Sequence, residues 1–254
     1  MIFIRTTGYK IRSASFGGHK RFALVSDLHS GSPKKVIERL RRISPDYILL
    51  AGDIFENLDG SLDAKNEKAF SILEECAMIS PSFYSTGNHE DGATRSQKKK
   101  WKQNIGKGKT YSKENIERIK KTGVNLLVDD CILVDGIAFG GLGSALMREG
   151  NVPDLAFLER FASLKDPKVL ICHHPEYYEP YIRVLPIDIT VSGHAHGGQW
   201  RIFGRGVFAP GQGLFPKYTS GVYEGRLVVS RGLKCGWPIP RFFNPREIVV
   251  IDVL

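Results

Sequence analysis

The chain has 254 residues, 42% of them apolar and 25% charged, with a formal net charge of +9. That suits one large globular domain, which buries roughly 70–75% of its unfolded surface and needs no disulfide framework. No stretch approaches the roughly 18–20 apolar residues that span a membrane, and the start lacks an apolar core of signal-peptide length, so the expectation is a soluble chain.

Residues 9–21 alternate loosely and predict an edge strand and a turn. Residues 22–25 (Phe-Ala-Leu-Val) form a continuous apolar run, the mark of a strand buried on both faces. It runs straight into Ser26-Asp27-Leu28-His29. Apolar side chains at 36, 37, 40 and 43 predict a helix, ended by Pro45-Asp46. Residues 47–51 predict a second buried strand, which delivers Gly52-Asp53. Residues 67–79 predict a helix closed by Ser80-Pro81, and residues 83–86 a strand that delivers Gly87-Asn88-His89-Glu90. Three repeats thus place a carboxylate, amide or imidazole at one end of a sheet, where open α/β sheets bind ligands.

From 95 to 121 there are eleven Lys/Arg against two Glu, which equals the whole net charge of +9. This reads as a basic insertion over about 92–121, partly helical around Ile105, Ile116 and Ile119. It is either a solvated face or a patch for anions: phosphorylated substrates, nucleic acid or anionic lipid. Gly123 caps it and residues 124–127 predict a strand. Residues 131–134 and 137–139 flank Asp135-Gly136, a hairpin signal, so strand pairing turns antiparallel.

Residues 153–164 predict a helix. Residues 169–172 predict a buried strand ending in His173-His174-Pro175, and residues 180–186 a short helix. Ile187, Ile189 and Val191 predict a strand that enters Gly193-His194-Ala195-His196-Gly197-Gly198-Gln199. Residues 199–218 are rich in glycine and aromatics, and residues 223–229 and 248–253 predict closing strands. No tandem repeat or low-complexity linker divides the chain, so one domain over 1–254 is the simplest account.

Cys76, Cys131, Cys172 and Cys235 form no Cys-x-x-Cys pair, and Cys76 and Cys172 lie in apolar runs as core thiols. With the missing signal this points to a reducing, cytoplasmic location, with the basic insertion as a possible membrane tether. Six of the seven histidines (29, 89, 173, 174, 194 and 196) sit at predicted strand ends; His19 does not. With Asp27, Asp53 and Asn88 they form a nitrogen and oxygen set suited to Zn, Mn or Fe. They outnumber the needs of one tetrahedral ion, whereas two ions about 3.5–4 Å apart, sharing a carboxylate, would use them.

Asp27-x-His29, Gly52-Asp53, Gly87-Asn88-His89-Glu90, His173 and Gly193-His194-x-His196, in this order, resemble the calcineurin-like metallophosphoesterase superfamily. The stretch from Gly193 to Gln199, with Pro216-Lys217-Tyr218 and Ser230-Arg231-Gly232-Leu233, is similar to its bacterial branch of YkuE- and YaeI-type phosphodiesterases. A member related to that branch is a UDP-2,3-diacylglucosamine pyrophosphatase. The resemblance implies an α/β fold, a four-layer α/β/β/α sandwich of two mixed sheets flanked by helices. It also implies two divalent metal ions (Mn, Zn or Fe). Asp27, His29 and His196 would hold the first, Asn88, His173 and His194 the second, and Asp53 would bridge them. The implied activity is a metal-dependent phosphoric ester hydrolase, acting on a phosphodiester or phosphomonoester by attack of a hydroxide that bridges the ions. His89 would stand beside the leaving oxygen as general acid or hydrogen-bond donor.

The family places its ligand two residues before Pro175, which selects His173 and leaves His174 as a rim or supporting residue. Glu90 reads as a support behind the ligands or as a surface carboxylate. Arg231, Lys217 and His174 are candidates for substrate contact, although Arg231 reads equally well as half of a structural ion pair. Trp200, Phe203, Phe208, Leu214 and Phe215 read as core packing or as a site for an apolar part of the substrate. Ser30-Gly31-Ser32 departs from the branch, which often has Asn or a basic residue after the first motif's His, so substrate choice is not transferred from a relative.

Two other functions stay open on the residues. One is a pyrophosphatase acting on a nucleotide-linked lipid precursor such as UDP-diacylglucosamine. The other is a non-enzymatic protein that grips nucleic acid or anionic membrane through residues 95–121. The expected partner is a phosphorylated small-molecule or lipid-linked substrate, with no stable protein partner evident.

Overall fold

A computed structural model describes residues 4–56, 64–91, 113–146, 151–234 and 240–254. Most of the basic insertion (92–112) and Cys235 lie outside the described residues.

Two six-stranded sheets carry the fold. The first contains, in spatial order, β1 (Ile4–Ile11), β16 (Arg246–Val253), β2 (Lys20–Val25), β3 (Tyr47–Ala51), β4 (Ser82–Ser85) and β5 (Asn125–Leu126). From β2 to β5 it is parallel; β16 runs antiparallel to β2 and parallel to β1. The second sheet contains β14 (Gly221–Tyr223), β15 (Leu227–Val229), β9 (Ile189–Ser192), β8 (Lys168–Cys172), β7 (Ile137–Leu142) and β6 (Asp130–Val134). Its four middle strands are parallel, and a hairpin closes each edge.

The continuous apolar runs exist because both faces of each sheet are covered. Leu24, Leu49 and Phe83 of the first sheet pack against Phe139, Val169, Ile171 and Val191 of the second. Phe83 and Phe139 stack with ring centroids 3.7 Å apart and planes at 7°. The other face of the first sheet (Ala23, Ile48, Leu50) takes Val36 and Leu40 of α1 (Lys34–Ile43), Phe70 and Leu73 of α2 (Ala64–Ile79) and Ile119 of α3 (Lys113–Lys121). The outer face of the second sheet (Ala138, Leu170, Leu227) takes Phe157 and Phe161 of α4 (Leu155–Ala162). This is the four-layer sandwich that the motifs imply.

Local chemistry sets the helix ends. The Asp154 carboxylate accepts the Phe157 N–H at 2.8 Å and starts α4. Ser44, in a left-handed conformation, ends α1 just before Pro45.

Three expectations differ from the structure. The edge strand starts at Ile4, ahead of the loosely alternating residues that announced it. Instead of a helix at 180–186 there is a 3-10 turn at Pro175–Tyr177 and a π-type turn at Tyr178–Ile182. The single strand expected at 223–229 is a hairpin, β14 and β15, bent at Glu224 and Gly225 with φ of 51° and 69°. Two successive positive φ values make a type I′ turn, and Glu-Gly lacks the Asn or Asp that usually announces one.

β2, β3 and β4 of one sheet and β8 and β9 of the other all end at the same margin. The five motifs that carry the proposed metal ligands stand on the loops that leave these five strands.

Candidate metal centre

The loops after β2 and β3 continue to pair beyond the strands. Asp27 N–H donates to Gly52 O (3.0 Å), His29 N–H to Asp53 O (2.9 Å) and Ser30 N–H to Ile54 O (2.8 Å). These bonds hold the chain in a conformation it would not choose. Asp27, His29, Asp53, His194 and His196 all have positive φ, between 46° and 63°. For a residue with a Cβ this costs about 1–3 kcal/mol and persists only where the surroundings enforce it.

Glu90 does much of the enforcing. Its buried carboxylate accepts the N–H groups of Asp53 (2.9 Å), Ile54 (2.7 Å), Phe55 (3.0 Å) and Gly87 (2.8 Å), and the Tyr84 hydroxyl (2.8 Å). It is a support behind the site; the surface-carboxylate reading is set aside. Gly87 and Gly193 allow close approach: a Cβ on Gly193 would stand 2.5 Å from Asp27 Oδ2, and one on Gly87 would strike Asp53 Oδ1.

Asp53 lies at the centre. Its Oδ2 is 3.3 Å from His173 Nε2, 3.6 Å from His29 Nε2 and 4.0 Å from His89 Nε2, while Oδ1 accepts the His89 N–H at 2.9 Å. Asp27 accepts the His194 N–H at 3.0 and 3.2 Å, and its Oδ1 is 3.8 Å from His196 Nδ1. Donor atoms of Asp27, His29 and His196 lie within 4.8 Å of one another, as do those of Asp53, His173 and His194. Asn88 follows Gly87 on the same loop and is buried.

The donor chemistry fits cations. His173 Nδ1 is 2.8 Å from Ala51 O, so Nδ1 carries the proton and Nε2 turns its lone pair toward the Asp53 carboxylate. His29 Nδ1 lies between Glu56 Oε2 (3.1 Å) and Lys234 Nζ (3.2 Å), and its Nε2 is likewise turned toward Asp53. Neither Nε2 atom has a hydrogen-bond partner, although both are buried. Two acceptors facing each other in a buried space need positive charge between them. The same demand appears in the His173 pKa: burial opposes the charged ring, yet Asp53 outweighs it and pushes the value up to about 10. His194 goes the other way, pushed by burial down to about 3, which keeps the ring neutral as a ligand must be.

His89 differs from the proposed ligands. Its Nδ1 is 3.0 Å from Glu56 O, its ring packs edge-on to His29 at 4.3 Å, and its side chain is 16% exposed while that of His173 is 0%. Nε2 faces Asp53 Oδ2 at 4.0 Å, and the donor atoms of His29, Asp53 and His89 also lie within 4.8 Å of one another.

His174 is not on the rim. It is buried, its Nε2 is 2.9 Å from Ser144 Oγ, its Nδ1 is 3.1 Å from Glu176 Oε1, and its ring centroid lies 4.4 Å from that of His194. With both nitrogens held by the protein, it backs the ligand side chains. Arg231 pairs with Glu247: its N–H donates to Oε1 at 3.0 Å and Nη1 is 3.8 Å from Oε2. Lys217 Nζ lies 2.5 Å from Glu179 Oε2 on the surface, an oxygen that also takes the Tyr218 hydroxyl at 2.6 Å. The structure therefore brings together Asp27, His29, Asp53, His173, His194 and His196, with His89 beside Asp53 and Asn88 buried on the same loop as His89, and ties Arg231 and Lys217 to carboxylates of their own. Trp200, Phe203, Phe208, Leu214 and Phe215 are all exposed, so the core-packing reading is corrected.

Glu56, Glu176, Lys234 and Arg241 were not anticipated. Glu56 is held at about 2: burial raises it, but His29 and Lys234 outweigh burial. Glu176, 3.6 Å from His194 Nε2, is also held at about 2, burial being outweighed by His194 and His174. Each glutamate stands three residues beyond a proposed ligand, Asp53 or His173, which is the faint signal they left in the sequence. Lys234 and Arg241 flank the loop before β16 and left none.

The family profile described as Calcineurin-like phosphoesterase matches residues 20–198, which contain all of the loops above. The chain belongs to the calcineurin-like phosphoesterase family. Among its relatives is an uncharacterized metallophosphoesterase of Campylobacter jejuni, 28% identical over 91% of this chain and 56% of that protein. UDP-2,3-diacylglucosamine pyrophosphatase LpxG of Chlamydia muridarum is 33% identical over 48% of this chain and 39% of its own length. Phosphodiesterase YaeI of Escherichia coli is 29% identical over 62% of this chain and 51% of its own length. The chain spans 56–60% of the length of the Campylobacter and Helicobacter relatives. Among the described residues, no helix is long and apolar enough to cross a membrane.

Proposed function

We propose that this member of the family hydrolyses a phosphodiester or pyrophosphate linkage, in preference to a monoester, at a pair of divalent ions. The supporting observation is the Asp53 carboxylate flanked by His173 Nε2 at 3.3 Å and His29 Nε2 at 3.6 Å, both nitrogens buried and lacking hydrogen bonds. Asp27, His29 and His196 would hold one ion, Asn88, His173 and His194 the other, and Asp53 both. Ions bound there would supply a water of lowered pKa and positive charge for the phosphoryl oxygens.

The chain's own residues do the rest. Ala51 O and Glu56 orient His173 and His29 from behind, so the donor atoms need no rearrangement when charge arrives. Glu90 fixes the Asp53 backbone. His89, held through Nδ1, presents Nε2 as the proton donor for the leaving oxygen.

A second reading, a pyrophosphatase acting on a nucleotide-linked lipid precursor, draws on the exposed Trp200, Phe203 and Phe215 that follow the His194–His196 loop. A likeness to LpxG across 48% of the chain agrees with it.

The test uses metal-stripped protein with Mn, Zn, Ni or Mg restored in turn, acting on bis-p-nitrophenyl phosphate, p-nitrophenyl phosphate and a UDP-linked lipid. Asp53→Asn should lose activity and one or both ions. His89→Asn should keep both ions yet slow about 10²–10⁴-fold. Folded protein that binds no divalent ion would overturn the assignment, and lipid cleavage far above diester cleavage would select the second reading.

A further inference from the structure

Three loops beside the metal centre expose large apolar side chains. Two small hairpins, β10–β11 (Arg201–Ile202, Arg205–Gly206) and β12–β13 (Phe208–Ala209, Gly213–Leu214), contribute Phe203 at 102% exposure and Phe215 at 78%. The loop before β16 contributes Phe243 at 87%. Backbone hydrogen bonds join the three into one surface: Arg201 N–H to Phe242 O (3.0 Å), Val207 N–H to Trp200 O (2.9 Å) and Phe215 N–H to Val207 O (2.8 Å). Burying such side chains is worth about 1.5–3 kcal/mol each, so leaving them in water is a standing cost.

The charge of this surface has one sign. Residues 197–216 contain Arg201 and Arg205, and residues 240–246 contain Arg241 and Arg246; neither stretch holds a single Asp or Glu. Glu176 packs against Gly211 of the second hairpin but is tied to His174, so exposed Phe and Trp stand among cations, which matches the interface of an anionic bilayer, where rings enter the headgroup boundary and cations meet lipid phosphates. A second copy of the chain fits poorly. A two-fold interface sets like against like and would bring these arginines together.

We propose that this ridge docks the protein on an anionic lipid bilayer, with Phe203, Phe215 and Phe243 entering the interface. The ridge is continuous with the metal centre: Asn244 Nδ2 donates to His196 O at 2.7 Å, and Arg241 Nη2 lies 3.5 Å from His196 Nδ1. Docking therefore turns the site's margin toward the headgroups, where a lipid-linked phosphoester would present its phosphate. That last consequence rests on the metal-site reading; the docking does not.

The test is sedimentation with sucrose-loaded vesicles of phosphatidylcholine plus phosphatidylglycerol, and of phosphatidylcholine alone, on metal-loaded and metal-stripped protein alike. Trp101→Phe with Trp237→Phe leaves Trp200 as the sole reporter of three tryptophans. The expected result is pelleting with the anionic vesicles, a blue shift of Trp200 emission and its quenching by brominated lipid. Phe203→Ser with Phe243→Ser should lower the partition coefficient about tenfold or more. Phe203→Ser alone is the fallback if the double variant melts early, and should show a partial loss.

Three outcomes overturn docking by this ridge. One is no pelleting. Another is pelleting with Trp200 emission unchanged and the ridge variants binding as wild type, which places the contact elsewhere. The third is self-association abolished by Phe203→Ser, which makes a second copy the occupant. None of these readouts involves turnover, so loss of docking and loss of the metal reading are separable.

Discussion

Glu90 Oε2 takes the Asp53 N–H at 2.9 Å, so the residue placed between the two donor sets is gripped by a carboxylate that touches no site atom itself. All five groups that meet Glu90 are donors. Glu90→Gln turns one acceptor into an NH₂ that faces them. A drop of about 2–4 kcal/mol in unfolding free energy by urea denaturation is expected, since each hydrogen bond to a charged group contributes about 1.5–3 kcal/mol. Metal affinity measured by calorimetry should fall with it. A variant as stable as wild type would show that the turn holds its shape without this carboxylate.

Filling the centre should stabilise the fold. The two lone pairs aimed at Asp53 are a ready-made cost that cations relieve. In thermal melts a divalent ion at 100 times its dissociation constant should add about 2.7 kcal/mol per site, reversed by chelator. Asp53→Asn should lose most of that gain. No shift with any divalent ion would argue that the centre does not bind them.

Away from the site, Asp252 supplies a pH signature. The hydrogen bond from Arg21 Nε (2.8 Å) holds its carboxylate below the usual range, burial opposes this, and His19 at 3.0 Å adds to it. A depressed folded pKa gives stabilisation that is present above the unfolded value of about 3.9 and is lost as pH falls through the folded value. Asp252→Asn should therefore flatten the acid limb of the stability curve below about pH 4. The difference at neutral pH should stay under about 1 kcal/mol, because Arg21 is solvent-screened. Equal acid limbs would show the pair to be inert.

Between the sheets, Phe139→Ala should cost about 3–5 kcal/mol in urea denaturation with an unchanged m-value. Its ring lies flat on Phe83 and 5.2 Å from Tyr47, two rigid rings that refill the gap poorly. A loss below about 1 kcal/mol would mean that the inter-sheet layer collapses onto the cavity.

The buried strands were legible because most carry an unbroken apolar run, and the site because each motif follows such a run closely. Phe22 to His29, Tyr47 to Asp53 and Phe83 to Glu90 each state strand and chemistry in one breath. Features made by distant partners were not legible. Nothing near Glu90 says that its carboxylate closes the turn after β3, and nothing near Glu176 says that it will meet His174 and His194. The β14–β15 hairpin was missed because an ordinary Glu occupies a left-handed position. The exposure of Phe203 and Phe215 was hidden by composition: a glycine- and aromatic-rich stretch reads alike whether it folds inward or stands out.

Among the described residues β1 has a single neighbour, β16, and each of its residues pairs with one 242 positions later, from Ile4 with Arg246 to Ile11 with Val253. During synthesis at about 5–20 residues per second, β1 therefore waits roughly 12–48 s for its partner, and the flank of β2 that β16 will cover stays open for nearly as long. Until Arg246–Val253 has been made the nascent chain holds an unfinished sheet, exposed to mispairing, and a messenger cut short before Arg246 would yield a product that cannot close it.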